Sequence, residues 1–106
     1  MYARRVSLEL KPNMVASFTE QMEKEILPML RKQKGFKDEI TFVAPGGTKA
    51  FGISLWDRRE DAETYGRETY PQVEKILIKF SDGTPRVTVY EVASSTFHKI
   101  GVAVPV

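Results

Sequence analysis

Few side chains in this sequence have the chemistry to bind or transform a ligand, and they form no recognisable catalytic motif. Tyr65 and Tyr70 carry hydroxyl groups that could donate hydrogen bonds to a ligand oxygen. His98 is the single histidine, and histidine is the residue type that titrates near neutral pH, so it is the obvious candidate for a general base. The alternative, which we favour, is that the tyrosine rings pack in a core and that His98 lies at the surface. The catalytic residues are therefore left unassigned.

Small side chains at alternate positions of residues 48–56 give a second indication of a site. Ala50, Gly52 and Ser54 share one face of the predicted strand, and Trp56 ends the row. Small residues beneath a helix leave room for a ligand cavity. Close packing of a helix on the strand is the alternative, because glycine in a strand also marks a close approach of another backbone. Trp56 could line such a cavity or anchor the core.

Composition excludes several kinds of chemistry. The chain has no cysteine, which rules out a thiolate nucleophile, a disulfide framework and a zinc–thiolate site, and which fits a cytoplasmic protein. The carboxylates fall on predicted outward helix faces or at helix caps, so we predict no metal site and no cofactor. The net charge of +2 is spread without a basic stripe, which argues against nucleic acid as a partner. The apolar runs are too short for a membrane span, and the N-terminal residues predict a strand rather than a signal peptide.

Six elements could position these residues, in the order strand, helix, strand, strand, helix, strand. Residues 2–10 alternate between apolar and polar side chains, which is the period of a strand. Residues 36–44 and 48–56 form two further strands joined by a turn with two glycines, which predicts an antiparallel hairpin. The β-branched residues 86–97 predict a fourth strand, with a bend near Ser94 and Ser95.

The first helix is predicted between Asn13, as its N-cap, and Gly35, as its terminator, with a kink or break at Pro28. Its apolar stripe consists of Met14, Phe18, Met22, Ile26, Met29 and Leu30. The phenylalanine and the adaptable methionines could form a ligand wall, although helical spacing also suits ordinary core packing.

The second helix is predicted to start at Asp57, with Glu60 completing a capping box. Pro71 fits best as the first residue of a fresh helical segment. Tyr65 and Tyr70 lie on this helix around the Pro71 break, where a hydroxyl could face a cavity.

The predicted sheet is apolar on both faces. In residues 48–56, Phe51, Ile53 and Leu55 point away from the small row. Strand–helix–strand crossovers are right-handed, so both helices are expected on one side of the sheet. The reverse face needs another cover, and we predict that it is the same face of a second copy related by a two-fold axis.

The element order, the length and the strand ending Ile53-Ser54-Leu55-Trp56-Asp57 resemble the antibiotic biosynthesis monooxygenase-like family of dimeric α+β barrels. The resemblance covers residues 2–97. It implies an α+β fold in which a single domain, residues 1–106, is a ferredoxin-like βαββαβ protomer with an antiparallel sheet. Two protomers would press their sheets together as a homodimer, and a ligand cavity would lie between each sheet and its own helices. Members of the family include cofactor-independent oxygenases acting on quinol-like aromatics and haem-degrading oxygenases.

The resemblance can be carried to individual residues. Trp56 matches the tryptophan that ends the third strand in many members. The quinol oxygenases have an asparagine before it on the same strand face, where this chain has Gly52 and Ser54. The haem-degrading members have an asparagine on the first strand and a histidine on the second helix, and this chain has neither. Haem degradation is thus disfavoured.

Three hypotheses follow. The first is a protein that binds a small apolar or aromatic ligand between helices and sheet. Its predicted ligand-binding residues are Trp56, Tyr65, Tyr70, Phe18 and Gly52. The second is a cofactor-independent monooxygenase using the same cavity. The alternative to both is a structural or interaction protein whose cavity is packed.

Overall fold

The computed structural model of the chain describes residues 1–100, and the apolar tail formed by residues 101–106 lies outside the described residues. Four strands form one antiparallel sheet in the order β2-β3-β1-β4. The strands are β1 (Tyr2–Glu9), β2 (Phe36–Val43), β3 (Lys49–Trp56) and β4 (Arg86–Glu91). The hairpin that the two-glycine turn predicts is confirmed, since β2 and β3 pair antiparallel.

Four α-helical segments and one π-helical turn pack on one face of this sheet. They are α1 (Val15–Gln21), the π-helical turn (Met22–Ile26), α2 (Leu27–Arg31), α3 (Arg59–Glu68) and α4 (Tyr70–Ile78). This arrangement confirms the predicted α+β class and ferredoxin-like βαββαβ order, with both crossovers on one side. Within residues 1–100, no helix has both the length and the apolar character needed to cross a bilayer.

The core lies between the helices and one sheet face, here called the inner face. The inner face carries Arg4, Val6 and Leu8 of β1, Glu39, Thr41 and Val43 of β2, and Ala50, Gly52, Ser54 and Trp56 of β3. Trp56 is fully buried and Phe18 and Leu10 are almost so. Each such large apolar side chain contributes about 1.5–3 kcal/mol by leaving water. The predicted alternation of β3 is therefore confirmed, with its small row facing the helices.

The start of the first helix differs from the prediction. Asn13 does not cap it: the residue has a left-handed φ of 63°, and Met14 takes the N-cap position without a side-chain hydrogen bond. Asn13 instead belongs to the turn after β1, a conformation that asparagine tolerates. Near Pro28 the regular α-helix is interrupted, although helical residues continue without a gap from Val15 to Arg31. The interruption is the π-helical turn, in which the Leu27 N–H donates to the Met22 carbonyl, and Pro28 follows it in the first turn of α2.

The capping box predicted at Asp57 and Glu60 is wrong. Arg58 is the N-cap of α3, and no side-chain cap hydrogen bond forms. Asp57 is held by the hairpin instead, because its N–H donates to the Gly35 carbonyl at 2.8 Å and its carboxylate lies 3.3 Å from Lys37 Nζ. The fresh start at Pro71 is confirmed in substance, since α4 begins one residue earlier and has this proline in its first turn.

The fourth strand is shorter than predicted. It ends at Glu91, which pairs with Tyr2, and the Val92 N–H makes a last bond of 3.0 Å to the Met1 carbonyl. No further β1 residue remains to pair with β4, so residues 92–99 leave the sheet. They cross the other sheet face, here called the outer face, where His98 Nε2 contacts the Asp38 carboxylate on the opposite edge.

Candidate ligand-binding site

A small cavity lies between the helices and the inner face, and it is called here the inner cavity. It offers about 50 Å³ to the centres of water molecules. It is lined by Arg4, Val6, Leu8, Phe18, Met22, Ile26, Leu30, Glu39, Thr41, Gly52, Ser54, Tyr65, Tyr70, Val73 and Leu77. An apolar cavity that takes up benzene in a protein interior measures about 150 Å³. The inner cavity as it stands therefore admits a few waters or one end of a ring, and a whole ring requires its walls to move.

The structure brings together four of the five residues predicted to bind a ligand. Phe18, Gly52, Tyr65 and Tyr70 line the inner cavity, and Trp56 does not. The tryptophan ring stacks behind Tyr65 with a centroid distance of 4.9 Å. Its Nε1 donates to Ser54 Oγ at 2.9 Å. Trp56 thus supports a wall of the cavity from the core side.

Gly52 makes room for a carboxylate as well as for the cavity. A Cβ atom at this position would lie 2.6 Å from Glu39 Oε2. The Glu39 carboxylate is held there by the Thr41 hydroxyl, which donates to it at 2.7 and 2.9 Å. Burial raises the pKa of Glu39, and the Thr41 hydrogen bond opposes this in part. Glu39 is therefore a carboxylate that takes up a proton more readily than an exposed glutamate does.

Arg4 is a buried cation that has no carboxylate partner in the described part of the chain. Its side chain is on the inner face, the residue is 8% exposed, and no ion pair joins it to a carboxylate of residues 1–100. The guanidinium carbon lies 5.3 Å from the centroid of Tyr65 and 4.9 Å from that of Tyr70. Its Nε is buried and has no hydrogen-bond partner among the described residues. Burial lowers the Arg4 pKa, but an arginine remains protonated at neutral pH.

The two tyrosines are hydrogen-bond donors at neutral pH. Burial raises the pKa of Tyr65, and burial followed by the nearby Glu74 raises that of Tyr70 to about 12. Tyr70 Oη is buried without a hydrogen-bond partner in the described part of the chain. Tyr70 and Arg4 thus present two donors at the same cavity that no described residue satisfies.

Glu39 and Arg4 stand at opposite sides of the cavity floor. Strand pairing places Glu39 opposite Ser54 and Ser54 opposite Arg4, so the three form one row across the sheet. Neighbouring strands are about 4.8 Å apart, so the two ends of the row are roughly 10 Å apart at the backbone. A ligand lying along the row would meet a carboxylate at one end and a guanidinium at the other.

The cavity opens over the neighbouring row. This row is formed by the cross-strand neighbours Thr41, Gly52 and Val6. These three residues and Glu39 are half-buried, whereas the other lining residues are buried. Glu39 is the one among the four with a long, rotatable side chain. Its rotation would clear the space above Gly52 and admit a larger ligand.

Sequence reasoning missed Arg4 and Glu39. The available signal was strand parity, because Arg4 falls at the same alternate positions of the strand as the apolar residues Val6 and Leu8. A charged side chain at an inward position of a strand needs a partner, so its presence there indicates a candidate functional residue.

Comparison with solved structures finds several proteins of the same architecture. A monooxygenase from the gene ActVA-Orf6 of Streptomyces coelicolor, in complex with the ligand Nanaomycin D, has a TM-score of 0.75 and 12% identity, with 92% of each chain covered. A Deinococcus radiodurans protein proposed to be an antibiotic biosynthesis monooxygenase has a TM-score of 0.73 and 14% identity, with 95% of this chain and 100% of that chain covered. The chain has the antibiotic biosynthesis monooxygenase-like fold.

A protein of unknown function from Nitrosomonas europaea shares this fold, with a TM-score of 0.72 and 13% identity over 96% of this chain and 95% of that chain. No protein-family sequence model matches the chain. No curated protein is similar to it in sequence. The resemblance predicted from the element order is thereby confirmed for the antibiotic biosynthesis monooxygenase-like fold.

In this antibiotic biosynthesis monooxygenase-like fold, His98 does not join the cavity. It is half-buried on the outer face beside Asp38, and the sheet separates it from Tyr65 and Tyr70. Within residues 1–100, no group of three histidine, aspartate or glutamate side chains is placed to hold a metal ion. The polar groups that face the cavity are thus Arg4, Glu39 and the hydroxyl-bearing residues.

The raised pKa of Glu39 predicts a pH dependence of stability. The folded protein binds this proton more tightly than the unfolded chain does, so the associated stability is present below the ordinary carboxyl value of 4.5 and is lost as pH rises through the raised folded value. Replacing Glu39 by glutamine should remove this loss. We expect the melting temperature of Glu39→Gln to fall less than that of the unaltered protein on going from pH 4.5 to pH 8.

Thermal melts at steps of half a pH unit would measure the difference. Glu63→Gln, on the exposed side of α3, is the matched control and should follow the unaltered protein. If the melting temperatures of Glu39→Gln and of the unaltered protein changed with pH in parallel, the raised pKa of the Glu39 carboxyl group would be contradicted.

Proposed function

We propose that the protein binds a small aromatic ligand in the inner cavity and acts on it as a cofactor-independent monooxygenase. The observation that carries the proposal is a pair of buried donors, Arg4 Nε and Tyr70 Oη, that have no partners among residues 1–100 and lie at an otherwise mostly apolar cavity. Buried polar groups are nearly always hydrogen-bonded, so donors left without partners call for a ligand or ordered water. A protein named as a monooxygenase shares the fold.

The chemistry would take its electrons from the substrate. A hydroquinone and dioxygen give a hydroxyquinone and water, so that one oxygen atom enters the product, the other leaves as water, and the substrate supplies all four electrons without an external reductant. The protein would supply a cavity that excludes bulk water and donors that orient the ring oxygen. Tyr65 and Tyr70 are suited to donate, with Phe18 as an apolar wall and Trp56 behind Tyr65.

The proposal is tested by oxygen consumption. With a panel of small hydroquinones, an oxygen electrode should record uptake that falls at least tenfold in Tyr70→Phe, because one donor to the substrate oxygen is lost. Tyr90→Phe is the matched control, since Tyr90 lies on β4 and is 46% exposed. If none of the compounds caused oxygen uptake, the proposed monooxygenase activity would be contradicted.

The alternative is a structural or interaction protein with a packed cavity. It is favoured by one observation, the small size of the inner cavity at about 50 Å³. Under this alternative none of the panel compounds should raise the melting temperature. Stabilisation without oxygen uptake would instead identify a binding protein.

We also propose that the protein is a homodimer formed through the outer face. Ile40 and Phe42 on this face are 39% and 43% exposed, and Phe42 stacks on Phe51 at 4.8 Å. Arg5 covers Phe51 at 4.5 Å, and its buried Nε has no partner among residues 1–100. Residues 92–99 cover this face only in part, and a groove of about 330 Å³ remains beside them. A second copy would bury the apolar side chains and could supply an acceptor for Arg5.

A further inference from the structure

We infer that the ligand of the inner cavity carries an aromatic oxyanion, and that Arg4 and Tyr70 bind this oxygen at the inner end of the cavity. This inference rests on the proposed function, because it concerns the same cavity, and it narrows the ligand to one chemical class. The class comprises ring compounds whose oxygen is ionised when bound, as in a phenolate or a ring carboxylate.

The first argument for an anionic ligand is that Arg4 has no counter-charge among the described residues. Arg4 is 8% exposed and has no carboxylate partner among the described residues. Removing a cation from water is costly unless an anion or several acceptors replace the water. The faces of Tyr65 and Tyr70 offset part of the cost through their ring electrons, but they accept no hydrogen bond from Nε in this arrangement. An anion that accepts from Arg4 would complete the site.

The second step is the fixed position of the guanidinium. It is placed against two tyrosine rings and against Gly66 of α3, where a Cβ atom would lie 2.6 Å from Arg4 Nη1. The absence of a side chain at Gly66 lets the cation approach the helix this closely. A guanidinium held on three sides is pre-organised, so little freedom is lost when an oxyanion binds.

The third step is the polarity of the cavity. Glu39 stands at the half-buried opening, and Arg4 stands at the buried end of the same row. An oxyanion is repelled by the first and attracted by the second, so the anionic oxygen should point inward and the ring outward. The Tyr70 hydroxyl, which is buried and has no partner within residues 1–100, can donate to the same oxygen.

The test uses 4-nitrophenol, whose anion is coloured, and 4-nitroanisole, which has nearly the same shape but cannot ionise. We expect the full-length protein to bind 4-nitrophenol at least tenfold more tightly than 4-nitroanisole, with the visible absorbance of the phenolate increased on binding. Arg4→Met should weaken 4-nitrophenol binding at least tenfold and change 4-nitroanisole binding less than twofold. Arg67→Met is the matched control, because Arg67 is exposed on the same helix as Gly66, and it should leave both affinities unchanged.

The outcomes separate the inference from the proposed function. Competition by benzoate would show that a ring carboxylate also meets the requirement, and competition by phenols alone would restrict the class to phenolates; either result supports the oxyanion. Equal binding of 4-nitrophenol and 4-nitroanisole to the unaltered protein overturns the inference and leaves the aromatic cavity standing. Binding of neither compound overturns both. The comparison of 4-nitrophenol with 4-nitroanisole uses only the unaltered protein, so it tests the inference even if Arg4→Met does not fold.

Discussion

Replacing Trp56 by alanine is expected to lower the free energy of unfolding by about 3–5 kcal/mol. The side chain is 0% exposed, stacks on Tyr65 at 4.9 Å and meets Phe36 edge-on at 5.6 Å. Its removal leaves a large hole between the sheet and α3, and it leaves Ser54 Oγ without its donor. For a chain of 106 residues this loss corresponds to a fall in melting temperature of roughly 15 °C or more. Thermal and urea unfolding measure both quantities.

The matched control is an exposed apolar side chain on the other side of the sheet from the outer face. Ile78 is 46% exposed on α4, so Ile78→Ala should lower the free energy of unfolding by only about 1 kcal/mol. Trp56→Ala should also loosen the wall behind Tyr65 and weaken aromatic binding in the inner cavity. A melting temperature for Trp56→Ala within a few degrees of the unaltered protein would contradict its position in the core.

Replacing Phe42 by aspartate is expected to dissociate the proposed homodimer. Each buried phenylalanine contributes about 1.5–3 kcal/mol, and a two-fold interface contains the residue twice, so about 3–6 kcal/mol would be lost. This loss raises the dimer Kd by roughly a hundredfold to ten-thousandfold. Sedimentation velocity at micromolar concentration should then find a monomer for Phe42→Asp and a dimer for the unaltered protein.

Ile78→Asp is the control for this experiment. Ile78 is 46% exposed, much like Phe42, but it lies on α4 and so on the opposite side of the sheet. It should leave the dimer intact. A monomer for the unaltered protein, or an unchanged dimer for Phe42→Asp, would remove the outer face as the interface.

The sheet could be predicted because its physical signals are local and redundant. Alternation in residues 48–56 placed Gly52, Ser54 and Trp56 on the helix side, and the right-handed crossover rule placed both helices on that side. The helix caps could not be predicted as reliably. Asp57 has the right chemistry for a cap, but the Gly35 carbonyl and Lys37 hold it in the hairpin, and both are distant in sequence.

The apolar and aromatic walls of the candidate site could be predicted from the sequence, but its charged residues were missed. Phe18, Tyr65 and Tyr70 follow from helical spacing, and they do line the cavity. Arg4 was missed because an arginine beside Arg5 looks like part of a solvated strand, and its burial depends on Gly66 and on two tyrosine rings more than sixty residues away. No local pattern contains that information. The end of β4 was overestimated for a similar reason, since the strand stops where its partner strand does.

The π-helical turn Met22–Ile26 means that the first helix contains one residue more than a regular helix of the same rise. Its wider winding absorbs that extra residue, so that Phe18 of α1 and Leu30 of α2 both face the cavity. If the same residues were wound as a regular α-helix, α1 would turn by about 100° relative to α2, and Phe18 would leave the cavity while Leu30 stayed in place. A homologous sequence one residue shorter at this point would present the same two side chains to its cavity through a regular helix.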